Sequence, residues 1–298
     1  MSEILIPALS DGNGCETKLF AERIDSKVQN AGYVGTGISC GVDSMHVLKK
    51  HLKDGMPGFR LTHLTVNDVG AFGKGTGQFR RSLAVAENVA KETGLGLIPV
   101  KSNIMDFVDY PFMWCHTFMN SFAVLALGKF WRTFFYGSSG YSFAESAIAG
   151  RASLEQDCAL YENLLLPYFS TVGTRLLQEG AAKDRFDKIA DIAGFDLAQK
   201  HLNVCVSDTG RNCGKCEKCR RTLLILDALG VLDEFGDVFD IAEYRNDRWK
   251  HLGWALYRKW TRSGSMTNRA LAMLDKDIGL KSRIYAAAGA AKRVAGLS

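Results

Sequence analysis

A chain of 298 residues, 47% apolar and 23% charged, is long enough for a sizeable core and has the composition of an ordinary globular protein. The start, Met-Ser-Glu-Ile, shows no basic stretch leading into an apolar one. The most apolar run, around Phe118 to Trp131, is broken by Asn120 and Lys129 and is too short and polar to span a bilayer. These features predict a cytoplasmic protein without a transmembrane segment. The net charge of +5 is uneven, because residues 245–298 carry +9 and the preceding 244 carry −4. A basic tail suits either nucleic-acid or lipid phosphates or the solvated faces of helices.

The apolar run Tyr33–Ile38 predicts a buried strand, followed by a helix over Asp43–Leu52. Arg60–Val66 reads as a second strand ending at Asn67-Asp68. A loop containing GKGTG (73–77) precedes a helix from about Phe79 to Thr93, with Leu83, Ala86 and Ala90 on one face. GLGLIPV at 94–100 is a third strand, 116–128 is helical, and Thr133–Tyr136 is a fourth strand closing into GSSGYS. Strand–helix alternation with apolar runs predicts an α/β fold with a parallel twisted sheet and helices on both faces. Ligands of such sheets bind at the carboxyl ends of the strands. Past residue 150 the alternation weakens, with helical patterns at 180–193 and 220–229. Residues 238–298 look helical, with Trp249, Trp254, Tyr257 and Trp260 among basic residues, and the Ala-rich stretch 285–296 reads as at most a frayed terminal helix.

The turn after the first strand, Ser39-Cys40-Gly41-Val42-Asp43-Ser44, joins a buried strand to a helix N-terminus, where free N–H groups and the helix dipole favour an anion. Ser39 and Ser44 add hydroxyls, and Gly41 allows close approach. Asp43 repels a bare phosphate, so its place there implies a cation, with Mg²⁺ on a polyphosphate the obvious candidate. The turn is not a Walker A loop. Equally open from these residues is an ordinary helix capped by Asp or Ser.

SCGVDS (39–44), preceded by a strand and followed by a helix, resembles the SGGxDS signature of the PP-loop ATP pyrophosphatases. The resemblance implies an adenine nucleotide alpha hydrolase-like fold and ATP cleaved between its α- and β-phosphates. Ser39, Gly41, Asp43 and Ser44 match the motif, with Asp43 and Ser44 the catalytic candidates and Cys40 and Val42 completing the nucleotide loop. Cys40 replaces the second glycine, which costs energy if that position needs a positive φ; Cys40 is also a candidate reactive thiol. The resemblance also places Val66 and Asn67 near adenosine, and Ser138 and Ser139 at the same sheet edge. Lys74 is a further candidate for phosphate.

Cys205, Cys213, Cys216 and Cys219 form C-x7-C-x2-C-x2-C, the spacing of four thiolates closing around Zn²⁺, with Gly210 and Gly214 suited to the turns. An iron–sulfur cluster also uses four thiolates. Without a fifth ligand the site reads as structural. The PP-loop and this segment together are similar to 7-cyano-7-deazaguanine synthases and to a poorly characterised PP-loop branch. Residues 170–189 and 212–230 carry the likeness to that branch, and Arg185, Lys188, Arg220 and Arg221 are cations able to face an anionic substrate. The organisation expected is a PP-loop α/β domain over 1–150, a substrate-side helical region with the four-cysteine zinc site over 151–232, and a basic helical extension over 233–298.

The resemblance implies an ATP-dependent ligase that adenylates a substrate carboxylate or carbonyl oxygen for attack by ammonia or an amine. Its cofactors would be Mg²⁺ and Zn²⁺. Two alternatives stand beside it: an RNA-modifying, tRNA-thiolation-like enzyme using the basic tail on RNA, and a non-catalytic ATP-binding scaffold. His46 and His116 read as packed residues, no general base is assigned, and the oligomeric state is open, with a homodimer plausible.

Overall fold

A computed structural model describes residues 29–53, 56–72, 77–138, 141–144, 157–207, 212–261 and 266–294. Its centre is a five-stranded sheet of β1 (Tyr33–Gly37), β2 (His63–Asp68), β3 (Gly96–Lys101), β4 (Trp131–Gly137) and β5 (Arg175–Glu179), in the order β3-β2-β1-β4-β5. Every pairing is parallel. The order reverses between β1 and β4, and in such sheets the crevice at that switch point is where ligands bind. The β1–β4 pairing is close because Gly35 has no side chain: a Cβ there would lie 2.7 Å from the Trp131 ring and 2.9 Å from that of Phe134.

Two cores cover the two faces of the sheet. One face holds α1 (Val42–Leu52), α2 (Gln78–Thr93), α5 (Arg185–Ile192), α6 (Asp196–His201) and α7 (Glu217–Ala228), with Met45, Leu48, Ala86, Ile189 and Leu223 buried together. The other holds α3 (Phe112–Ala126) and α4 (Glu162–Phe169) over Trp131, Phe134 and Leu176. Local chemistry sets the helix ends. Asp43 lies in the first turn of α1 and Lys49, Lys50 and His51 in its last, matching the dipole. Asp184 caps α5 by accepting from the Asp187 N–H at 2.8 Å. Gly94 closes α2 at φ 71°.

The four expected strands and the parallel α/β class are present. The fifth strand is not in the sequence reading: Arg175–Glu179 falls in the segment read as helical, and β5 pairs with β4. RLLQE offers two adjacent apolar residues, too few for a period to register, and only the neighbouring β4 makes it a strand. The third helix starts at Phe112, four residues before its expected position.

The tail forms α8 (Ile241–Thr261), α9 (Asn268–Met273) and α10 (Leu280–Val294). The last is a packed helix rather than a frayed one. Small residues bring it onto α8: a Cβ on Gly253 would sit 2.7 Å from the Ser282 carbonyl, and Gly289 faces the Tyr257 ring. Ser282 and Ala286 are buried in that seam. Many tail cations are used internally: Arg248 holds Asp227 and Asp277, Arg258 holds Glu217, and Arg269 holds Asp187. Among the described residues, no helix is long and apolar enough to cross a membrane.

Candidate functional site

The β1–α1 turn lies at the switch point. Chain direction reverses around Cys40, the only non-glycine with positive φ among the described residues, at 57°. The departure from the resembling motif therefore falls where a glycine would be unstrained, at a cost of about 1–2 kcal/mol. The Cys40 side chain is buried in the core, and burial pushes its thiol up to about 12, which favours packing over reactivity. Its carbonyl accepts the Asn203 N–H at 2.8 Å, which pins the turn to the chain leading to the cysteine segment. Ser44 donates to the Gly41 carbonyl at 3.1 Å, and the Ser39 hydroxyl accepts the Gly41 N–H at 3.3 Å. No side chain caps α1, so its leading N–H groups have no acceptor from a cap, and Gly41, Val42 and Asp43 at that start line the crevice.

Asp43 meets cations of the protein itself. Arg185 donates from Nη2 at 2.9 Å to one carboxylate oxygen and Lys188 from Nζ at 3.0 Å to the other. The capped start of α5 puts residues 185 and 188 on one face, one turn apart. Lys188 is fully buried and also donates to the Ser138 carbonyl at 2.9 Å, tying the end of β4 to the turn after β1. Burial alone would raise the Asp43 pKa, but the charges of Arg185 and Lys188 overcome it and hold the carboxyl below its ordinary value. Burial lowers the Lys188 pKa, with Asp43 opposing the fall.

In front of this group lies a cleft of about 530 Å³, reaching from Ser39, Gly41, Val42 and Asp43 to the cysteine segment. Its charged lining is mainly cationic: Arg81, Arg185, Lys200, Lys218 and Arg221 against Asp43 and Asp237. Lys200, with His201, is engaged by Glu92. Lys218 and Arg221 stand one turn apart on α7. Burial and then the Arg185 charge lower the pKa of both, Arg221 to about 10. Arg185 and Arg221 each keep a buried Nε without a hydrogen-bond partner. Like charges crowded together with unmet donors suit an anion.

The far wall is the cysteine segment. Cys205, Cys213, Cys216 and Cys219 bring their sulfurs within 4.8 Å of one another, and none is in a disulfide. Four such thiols fit a tetrahedral metal such as zinc. Gly214, at φ 67°, turns the chain between the second and third cysteines. N–H groups of Cys213 and Cys216 donate to the sulfurs of Cys205 and Cys213, the second-sphere support that thiolate ligands need. Cys216 is the N-cap of α7, so the four-cysteine cluster adjoins the start of the helix that carries Lys218 and Arg221. Asn212 locks the segment: its side chain accepts from Val204 and Cys205 N–H and donates to the Leu202 and Val238 carbonyls.

The structure gathers only part of the expected constellation. Ser39, Gly41, Val42 and Asp43 line the cleft, while Cys40 and Ser44 are buried behind the turn. Val66 is buried within β2, and Asn67 pairs weakly with Asn120 at 3.4 Å; neither lines the cleft. Ser138 is also buried, donating to the Tyr141 carbonyl. Ser139, Lys74 and Gly210 lie outside the described residues. Of the four cations singled out, Arg185 and Arg221 line the cleft and Lys188 sits behind Asp43, whereas Arg220 points away to Tyr285 and Trp254. Lys218, Arg81 and Asn212 escape the sequence reading. For Lys218 the signal was available: it precedes Cys219 and lies three residues before Arg221.

Both histidines are packed. His46 is buried against Asp191 at 3.2 Å. His116 bonds Asp157 at 3.1 Å, and the adjacent Cys158 bonds Thr117. Asp157, acting against burial, raises the His116 pKa to about 10. His116, Asp157 and Cys158 lie within metal-ligand reach of one another, but the pairings already satisfy them.

Comparison of the chain with protein-family models, curated proteins and solved structures gives no match, so its likeness to PP-loop enzymes rests on the turn and cysteine motifs.

Proposed function

We propose that the chain is an ATP-dependent enzyme of the PP-loop type that adenylates a carboxylate or carbonyl oxygen of a small molecule for attack by ammonia or an amine. The observation that carries this reading is the cationic cleft at the switch point, open to the uncapped start of α1. The leading N–H groups of α1 and the Arg185, Lys218 and Arg221 side chains hold the β- and γ-phosphates. A substrate carboxylate needs no general base: its oxygen attacks the α-phosphorus, the α–β bridging P–O bond breaks, and pyrophosphate leaves with charge matched by those cations. Nitrogen then attacks the acyl carbon and AMP departs. Mg²⁺ would supply further neutralisation of the phosphates. Asp43 is the carboxylate at hand for it, each oxygen keeping a lone pair beyond its bond to Arg185 or Lys188, so the phosphates would furnish most of the remaining ligands.

Calorimetric titration with Mg-ATP and with pyrophosphate, followed by screening carboxylate metabolites for AMP release, tests the reading. Micromolar binding lost in Arg221→Ala and Lys218→Ala supports it. Absence of binding to either anion in folded, metal-loaded protein overturns it. The strained Cys40 favours one competing reading, a nucleotide-binding scaffold without turnover. Binding without AMP formation from any carboxylate would establish that instead.

A further inference from the structure

Helices lying on a sheet normally turn a polar, charged face to solvent. The pair α3 and α4 does not. The sequence of α3, FMWCHTFMNSFAVLA, has no Asp, Glu, Lys or Arg, and its one ionisable imidazole is turned inward to Asp157. Trp114, Phe118 and Phe122 recur every fourth residue with Met113 beside them. On α4, Leu164 and Tyr168 repeat the same spacing, and the only charged residue, Glu162, is buried. These six side chains are 37 to 55% exposed. The two helices meet where the Phe118 and Phe169 rings stand 5.3 Å apart, which makes their outer rows one surface.

About half of six side chains of roughly 200 Å² each leaves an apolar patch on the order of 600 Å². That is at the upper limit of what a monomer exposes, and close to the roughly 800 Å² per partner of a stable interface once a rim is added. The patch also lacks the charges that would select an oppositely charged partner. Two copies meeting through it bring no like charges of these helices into contact. A two-fold contact presents the same patch to itself, and a surface without charges does so without pairing like charges.

We infer that the α3–α4 face is the two-fold interface of a homodimer, on the sheet face opposite the cationic cleft. The inference is independent of the proposed chemistry. Sedimentation equilibrium of the full chain over the micromolar range should give twice the 32.8 kDa of one copy. Phe118→Glu and Trp114→Lys should each weaken the dimer about 100-fold or more, because they force a charge into the centre of the contact. Unchanged near-ultraviolet dichroism and unchanged pyrophosphate or metal binding would show that the variants are folded. Should they not fold, hydrogen exchange of the unaltered protein decides: α3 and α4 amides should gain protection as concentration rises. A monomer at every concentration overturns the inference, as does a dimer that survives both substitutions. If that monomer floats with phosphatidylcholine vesicles, the face serves a membrane surface. If its α3 amides are protected at high dilution, another part of the chain covers it.

Discussion

Lys188→Met tests whether the turn is held by ion pairing. The substitution keeps most of the buried stem and removes two bonds from Nζ, 3.0 Å to Asp43 and 2.9 Å to the Ser138 carbonyl. Breaking a buried pair by deleting one partner costs about 3–5 kcal/mol. Arg185 remains on the other Asp43 oxygen, and the desolvation cost of the ammonium is recovered, which favours the lower figure, about 3 kcal/mol. At roughly 2 °C per kcal/mol for a chain of this size, the melting temperature should fall by about 6 °C. Asp43→Asn should cost about 2–3 kcal/mol for the converse reason, leaving the Lys188 ammonium buried beside neutral oxygens without a counter-charge. Combined, the two should cost about 1–2 kcal/mol less than their sum, because the second removes a partner already lost. Denaturant melts of the four proteins complete the cycle. Asp43→Asn should also tighten metal-free pyrophosphate about threefold or more by releasing Arg185 into the cleft. A Lys188→Met protein within about 0.5 kcal/mol of the parent, or strict additivity, would refute the ion-pair account.

Each chain should hold one tetrahedral thiolate-bound zinc by elemental analysis; Cys213→Ser should lose it and also weaken pyrophosphate about tenfold, since Lys218 and Arg221 start from that anchor. An intact metal with unchanged anion affinity would separate the two sites. Cys40→Gly should change stability by less than about 1 kcal/mol, relief of the positive φ being offset by lost packing and unfolded-chain entropy, whereas Cys40→Val should cost about 2 kcal/mol or more. Mass mapping should find Cys40 unmodified by thiol reagents until the protein unfolds. Glu179 is held at about 2 although burial raises it, because His51 and Lys50 bond its oxygens. A depressed carboxyl contributes stability that is complete above its ordinary value of 4.5 and lost as pH falls toward 2, here at most about 3 kcal/mol. Glu179→Gln should flatten the difference in acid unfolding over that window, and an unchanged acid midpoint would count against the pairing.

How much of this was legible in the sequence depended on whether the signal was local. The β1–α1 turn was, since apolar run, small residues and helix start are contiguous. The cysteines were, since thiol spacing alone restricts what they bind. Strand β5 was not, because two leucines carry no period and only pairing with β4 makes Arg175–Glu179 a strand. The partners of Asp43 were named as cations, yet not as its partners. A separation of 142 residues between Asp43 and Arg185 has no trace in sequence. Arg220 and Arg221, adjacent in sequence, part because consecutive helical residues point about 100° apart, one to the cleft and the other to Trp254.

The joint position of turn and cysteine segment bears on the proposed anion site. A phosphate cradle made only of backbone N–H groups binds any anion weakly, and the cations that strengthen it must be held against their mutual repulsion. Arg185 is fixed by its bond to Asp43, but among the described residues Lys218 and Arg221 have no carboxylate at comparable range within the cleft. Their placement depends on the start of α7, which four sulfurs and the Asn212 side chain fix at one end. The Asn203 N–H on the Cys40 carbonyl ties that assembly directly to the turn. A metal held by the four cysteines would act on the cleft through geometry, so its loss should be felt first as lost anion affinity and only later as unfolding. If chelation unfolded the chain before pyrophosphate binding declined, the metal would be a fold staple alone and the coupling argued here would fail.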